Sequence, residues 1–130
     1  MKSRINRLRK ILKQQKVDAI LISNPENRRY LSGFSGSAGY LVISSNDAVL
    51  ATDFRYIEQA GRQSPEFEVV RIGGPQSWLS DILASKKLKN IAFESNNLTV
   101  AQHQSLITSL EKDLPKSEIQ LLPTTSIVEN

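Results

Sequence analysis

Cysteine is absent from the 130-residue chain, and histidine, tryptophan and methionine occur once each. Without thiols there is no disulfide framework and no thiolate metal site, a composition that fits a reducing compartment. With one histidine, a metal site would have to be built mostly from carboxylates. The acids Asp47, Asp53, Glu58, Glu66, Glu68 and Glu94 fall on turns, helix starts and strand ends, and no pair has the helix-face spacing of a carboxylate-bridged site. Long apolar runs are missing too: none approaches the roughly 20 residues a membrane-spanning helix needs. Met1-Lys2-Ser3-Arg4 is charged like the start of a signal peptide, but no long apolar stretch follows it. These absences together read as a cytoplasmic protein with no membrane partner.

The length suits one domain, since domains commonly run about 100–150 residues. A hydrophobic content of 39% is enough for a core of its own. The net charge of +4 is unevenly spread. Lys2, Arg4, Arg7, Arg9, Lys10, Lys13 and Lys16 precede the first acid, Asp18, leaving ten bases against thirteen acids in the remainder, a balance of −3. The basicity is therefore one helix. Ile5, Leu8, Ile11 and Leu12 supply its buried stripe and the bases fill the remaining arc, so a solvated face accounts for them better than a nucleic-acid surface.

Periodicity sets out the elements in order. Ser3 can cap a helix to about residue 15. Residues 19–22 form a short, continuous apolar run of the kind buried on both faces of a sheet. Asn24 as cap and Pro25 at the first helical position start a short helix through about Leu31. Gly33, Gly36 and Gly39 punctuate a loop. Residues 40–43 and 48–51 are two strands about the turn Ser45-Asn46-Asp47, a hairpin. Thr52 or Asp53 can cap a helix to about Gln63, with Phe54, Ile57 and Ala60 toward the core.

Residues 67–72 alternate as a strand with one wetter face, and Gly73-Gly74-Pro75 breaks it. A helix carrying Trp78, Leu79, Ile82 and Leu83 follows, then a strand at 90–94. Thr99 and Gln102 form a capping box for a helix with Leu106, Ile107, Leu110 and Leu114 on its stripe. A last strand at 119–122 is closed by Pro123. Alternating strands and helices with one hairpin predict an α/β domain: a mixed, mostly parallel sheet of about six strands with helices on both faces. Thr125-Ser126 before Ile127-Val128-Glu129-Asn130 reads as a capped helix in its first turn, too short to persist alone, so the chain is expected to continue.

Little of the usual catalytic vocabulary is present. Gly33, Gly36 and Gly39 have Gly-x-x-Gly-x-x-Gly spacing and lead into a strand, whereas a dinucleotide loop needs Gly-x-Gly-x-x-Gly leading into a helix. No Walker lysine accompanies them. His103 lies on the apolar side of its helix and reads as a partly buried, hydrogen-bonded core histidine. No nucleophile–base pair has sequence support, so no catalytic residue and no metal ligand is assigned. The positive candidates are Tyr30, Phe34, Ser35, Arg55 and Tyr56. Arg55 could hold a carboxylate by a two-pronged hydrogen bond, and Tyr30 and Phe34 could wall an apolar pocket. Equally, Arg55 could pair with Asp53 or Glu58, and the aromatics could be core.

The segment Asn27-Arg28-Arg29-Tyr30-Leu31-Ser32-Gly33-Phe34-Ser35-Gly36-Ser37 resembles the N-x-x-Y-L-T-G-F-x-G-S pattern of the creatinase/prolidase N-terminal domain, found in Xaa-Pro aminopeptidases and dipeptidases. Thr52-Asp53-Phe54-Arg55-Tyr56 with Gln59-Ala60 is similar to that family's T-D-x-R-Y-x-x-Q-A. The opening helix, with Arg4, Leu8, Arg9 and Leu12, and the spacing between the two motifs also fit. Ser32 stands where Thr is common. The resemblance covers essentially the whole chain.

It implies a ribonuclease-H-like α/β fold over residues 1–125, with 126–130 beginning a helix into a C-terminal catalytic metallopeptidase domain outside these residues. It further implies two divalent metals in that domain, none in this one, and an Xaa-Pro peptide as substrate. The role implied here is non-catalytic: dimerisation and a roof over the active-site mouth, with Tyr30, Phe34, Ser35, Arg55 and Tyr56 as mouth candidates. Three other readings stay open: the equivalent domain of a creatinase-like amidinohydrolase, a stand-alone ligand-binding or dimerisation module, and a nuclease using ribonuclease-H-like carboxylates. The last needs acids at strand centres, where this chain has few.

Overall fold

The computed structural model describes residues 2–72, 77–95, 98–114 and 119–124. In chain order the elements are α1 (Lys2–Gln14), β1 (Ala19–Ile22), α2 (Pro25–Ser32), β2 (Tyr40–Ser44), β3 (Ala48–Thr52), a 3-10 turn (Phe54–Tyr56), α3 (Ile57–Gln63), β4 (Glu68–Arg71), α4 (Ser77–Ser85), β5 (Asn90–Glu94), α5 (Val100–Asp113) and β6 (Gln120–Thr124). The strands form one sheet in the order β4-β3-β2-β1-β5-β6. The pairs β1–β5, β5–β6 and β3–β4 are parallel, while β1–β2 and β2–β3 are antiparallel. The sheet is thus mixed and mostly parallel.

Strand alternation divides the core between the two faces. Ala19 and Leu21 of β1 point to a cluster with Trp78, Leu79, Ile82 and Leu83 of α4 and Leu106 and Leu110 of α5. Ile20 and Ile22 point the other way, to Ile5, Leu8 and Leu12 of α1, Leu31 of α2 and Ala60 of α3. With helices on both sides, all four residues of β1 are fully buried, which is why that strand reads as one unbroken apolar run.

Several expectations are corrected. Ser3 does not cap α1: the helix already includes Lys2, so Ser3 lies inside its first turn, and burial of Ile5, Leu8 and Leu12 holds the helix down. Phe54 does not face the core. Asp53 caps a 3-10 turn that takes up Phe54, the α-helix begins only at Ile57, and the ring is left 68% exposed, with the Arg71 guanidinium 5.7 Å from its centroid. Pro123 does not close β6 but lies within it, opposite Phe93. An edge strand tolerates this because one side of its backbone has no partner strand to receive an N–H. The break expected at Gly73-Gly74-Pro75 and the helix start expected at 126–130 lie outside the described residues.

The register decides which loops meet. Ile22, the last residue of β1, pairs with Leu41, and Tyr40 pairs with Ala51. The segments after β1, before β2 and after β3 therefore share one end of the sheet. Both sequence motifs converge there, although residues 38–51 separate them in the chain.

Candidate functional site

α2 is fixed at both ends. Asn24 Oδ1 accepts from the backbone N–H of Glu26 (2.9 Å) and Asn27 (3.1 Å), and Pro25 occupies the first turn, where its missing N–H costs nothing. Gly33 ends the helix at φ 80°, a left-handed conformation in which a side chain would be strained, and its N–H reaches Arg29 O at 2.8 Å. Ser32 Oγ donates to Arg28 O (2.6 Å) and accepts from Phe34 N (3.1 Å), so serine supplies the hydroxyl that threonine would. Glu94 anchors the start of the segment, accepting from Ser23 N (2.7 Å), Asn24 N (2.8 Å) and Asn27 Nδ2 (2.6 Å).

Beyond Gly33 the chain forms a loop of small residues tied down on several sides. Phe34 lies beneath it, 1% exposed, with its ring edge-on to Tyr56 at 6.1 Å. A Cβ on Gly36 would fall 2.2 Å from Phe34 Cζ, so the loop backbone rests directly on the ring. The Arg28 guanidinium, 3% exposed, donates from one terminal nitrogen to Gly39 O (2.8 Å) and from the other to Gly36 O (3.0 Å). Its Nε is buried without a partner, and burial lowers its pKa, with a smaller opposing contribution from Tyr40. Thr52 Oγ1 donates to Ala38 O at 2.6 Å.

The second motif grips the same loop from above. Ser37 Oγ and Tyr56 OH are 2.6 Å apart, Ser35 N donates to Gln63 Oε1 (3.0 Å), and Gln59 Nε2 donates to Ser35 Oγ (3.2 Å). Arg55 is paired with Asp53 in the two-pronged manner, Nε to Oδ1 at 3.1 Å and a terminal nitrogen to Oδ2 at 2.8 Å. That hydrogen bonding lowers the Asp53 pKa and raises the Arg55 pKa. The guanidinium also lies 5.2 Å from the Tyr56 ring and remains on the surface.

Four of the five candidates, Phe34, Ser35, Arg55 and Tyr56, are thus brought to one end of the sheet. Tyr30, 42% exposed, turns instead to α1, where the Arg4 guanidinium lies 4.3 Å over its ring. Arg28, Ser37, Thr52 and Gln63, none of them a sequence candidate for the mouth, also hold the loop.

No reacting constellation accompanies this geometry. Among the described residues no group of three or more His, Asp or Glu could hold a metal ion. His103 is half-buried and stacked on Phe93 at 4.8 Å, but its Nε2 has no hydrogen-bond partner, against the expectation of a hydrogen-bonded ring. Phe93 covers one face of the imidazole. Glu94 stands at a strand end and is occupied by three N–H donors, so a nuclease-type carboxylate centre gains no support.

A mixed six-stranded sheet with helices on both faces and two converging loops at one end defines an α/β domain whose surface feature is a rigidly tied loop. The chain belongs to the creatinase/prolidase N-terminal domain family, which matches residues 4–130. It is 35% identical over 127 residues to the uncharacterized peptidase YqhT of Bacillus subtilis, an alignment spanning 97% of this chain and 34% of that protein. Among solved structures, the Xaa-Pro dipeptidase from Bacillus anthracis superposes with a TM-score of 0.87 at 30% identity, covering 98% of this chain and 34% of the dipeptidase. The N-terminal domain of the cytoplasmic peptidase PepQ from Mycobacterium tuberculosis gives a TM-score of 0.86 at 35% identity, covering 98% and 96%. The chain therefore spans about a third of YqhT and of the dipeptidase, and nearly all of the isolated PepQ domain. Among the described residues no helix is long and apolar enough to cross a membrane.

Proposed function

We propose that residues 1–125 are the non-catalytic N-terminal domain of a cytoplasmic, metal-dependent Xaa-Pro peptidase, and that residues 126–130 begin the helix into its C-terminal catalytic domain. The observation that carries this reading is the match of the whole chain to one third of longer peptidases. The domain's contribution is to roof the active-site mouth and to help build a homodimer. Ser35, Arg55 and Tyr56 line the mouth, Phe34 supports it from below, and Tyr30 flanks it on the α1 side. The described residues do not fit a divalent metal pair. The two metals belong to the catalytic domain, and no step of the chemistry is assigned to residues of this chain.

The geometry suits positioning. A surface loop tied through Arg28, Thr52, Tyr56 and Gln63 presents its atoms in one arrangement, so binding a peptide there costs less loop ordering than binding against a mobile loop would. Arg55 can exchange one prong of its bond to Asp53 for a peptide carboxylate, because both groups lie at the surface.

The test compares the 130-residue chain with the protein joined to its catalytic domain, each assayed on Xaa-Pro dipeptides and longer Xaa-Pro peptides with manganese. The long form is expected to turn over and the short form to be inert. In the long form Arg55→Ala should raise KM by roughly tenfold, about 1.4 kcal/mol of binding, with a smaller change in kcat. Turnover by the 130 residues alone, cleavage of creatine in place of peptides by the long form, or an unchanged KM in the Arg55 variant would each refute the corresponding part.

A further inference from the structure

The end of the sheet opposite the two motifs carries a groove of about 570 Å³ whose lining is strongly cationic: Arg9, Lys10, Lys13, Lys16 and Lys87 face one carboxylate, Asp18. Asp18 Oδ2 accepts from Lys89 N (3.0 Å) and Asn90 N (2.9 Å), neutral donors that fix the carboxylate without cancelling its charge, so five cations of the lining still face a single anion. Arg9 is held by Ser44 O (2.7 Å) and Asp47 O (3.1 Å), both neutral carbonyls that leave its charge uncompensated. The ion pairs between side chains of described residues involve none of the four lysines.

A second observation concerns the backbone. Lys16 (φ 58°) and Lys87 (φ 57°) are the two non-glycine residues with positive φ among the described residues, and both line this groove. Each follows a helix in the same Schellman pattern. Val17 N bonds Leu12 O while Lys16 N bonds Lys13 O after α1, and Leu88 N bonds Leu83 O while Lys87 N bonds Ala84 O after α4. Glycine suits that position best, and a lysine there is strained. The negative end of each helix accounts for a cation in its own last turn. It does not account for cations of both helices sharing one groove in which a single carboxylate faces five of them.

We infer that this groove binds a multivalent oxyanion, its charges borne by phosphate or carboxylate groups, through Lys10, Lys13, Lys16 and Lys87. The apolar lining is Leu12, Val17 and Leu88, with no aromatic ring on which a nucleobase could stack, so the charged groups alone are recognised. Four flexible ammonium groups suit clustered charges of variable geometry better than a single planar carboxylate, for which arginine is the better fit. The groove lies at the far end of the sheet from the proposed mouth, and this inference is independent of the peptidase reading.

The probes are inorganic triphosphate and citrate, titrated calorimetrically into the 130-residue chain at 50 and 300 mM salt. Triphosphate should bind at the lower salt and weaken severalfold at the higher, as contacts between exposed charges are screened; comparison with citrate tells which oxyanion is preferred. The decisive variant is Lys16→Gly/Lys87→Gly, which removes two charges and relieves two strained backbones. Its Tm should rise by about 2–6 °C while affinity falls roughly tenfold, so the loss cannot be laid to unfolding. Lys10→Gln/Lys13→Gln on the regular helix should repeat the loss without touching a left-handed position. Lys112→Ala, on α5 and outside the groove lining, should leave affinity unchanged. Failure of both probes to bind at low salt, undiminished affinity in the two double variants, or an equal loss in Lys112→Ala would overturn the assignment.

Discussion

Replacing Arg28 by methionine keeps most of the side chain's apolar length and removes the guanidinium beneath the loop. Two charge-assisted hydrogen bonds disappear, to Gly39 O and Gly36 O, together worth about 3–6 kcal/mol at most. Against that stands the cost of holding a cation at 3% exposure with no carboxylate bonded to it, a penalty of several kcal/mol that the substitution relieves. The net depends on the two carbonyls, each of which costs about 1–3 kcal/mol if it finds no new donor. Gly36 O is buried and Gly39 O partly so, so the balance should be a destabilisation of about 1–3 kcal/mol, or roughly 3–12 °C in Tm for a domain of this size. The loss should also be local. Amide exchange at residues 35–39 should accelerate more than in β1, because the loop loses its floor while the sheet keeps its pairing. Chemical denaturation and residue-resolved hydrogen exchange measure the two effects. A variant as stable as the parent, with unchanged exchange in the loop, would show that the guanidinium makes no net contribution and that other contacts order the loop.

Three further perturbations probe the same end of the sheet. Gly36→Ala places a methyl 2.2 Å from Phe34 Cζ and should cost about 1–3 kcal/mol in urea denaturation; adding Phe34→Leu should show coupling of about 1 kcal/mol or more, and strict additivity would refute the contact. Glu94→Ala strands three N–H donors at the start of α2 and should cost about 2–4 kcal/mol, with exchange at Ser23 and Asn24 accelerated, whereas a loss under 0.5 kcal/mol in urea would show that water replaces the carboxylate about as well. Asp53, its pKa lowered first by the hydrogen bond from Arg55, contributes its cap above the ordinary carboxylate range and loses it as pH falls through the depressed folded value. A carboxyl-carbon NMR titration should find Asp53 ionised below that range, and Arg55→Ala should move it back toward ordinary behaviour, leaving only the backbone bond from residue 55.

Most of the scaffold was legible because its burial is periodic. β1, β2 and β3 lie between two helical layers, so their apolar residues run without interruption, and α4 and α5 carry stripes that match their buried sides. What periodicity could not reveal were effects one or two residues wide. Asp53 can cap an α-helix or a 3-10 turn with the same side-chain oxygen, and only the second choice turns Phe54 outward. Pro123 reads as a terminator until the strand is known to be an edge. His103 sits on the face its spacing indicated, yet spacing could not reveal that its ring stacks on Phe93 while its Nε2 goes without a partner.

The candidate loop was legible in a different way. Its motif residues stand out by type, but their duties follow from partners distant in the chain. Arg28 would be expected at the surface by composition alone, since arginine is rarely buried. It is drawn inside because α2 ends at Gly33 and the chain doubles back over the helix, leaving Gly36 O and Gly39 O directed at a helical side chain. Ordering loop backbone costs about 1–2 kcal/mol per residue, and a segment of Ser, Gly and Ala has almost no side-chain surface to offset it. Phe34 supplies the one large apolar contact from below, and hydrogen bonds from Arg28, Thr52, Tyr56 and Gln63 must supply the rest. A neutral hydrogen bond contributes a net of only about 1 kcal/mol and each of the two from Arg28 about 1.5–3, so the loop's fixed arrangement depends on all four ties together. That dependence links the two motifs physically: loosen α3 or the 3-10 turn, and the glycine loop on the far side of the β2–β3 hairpin should loosen with it.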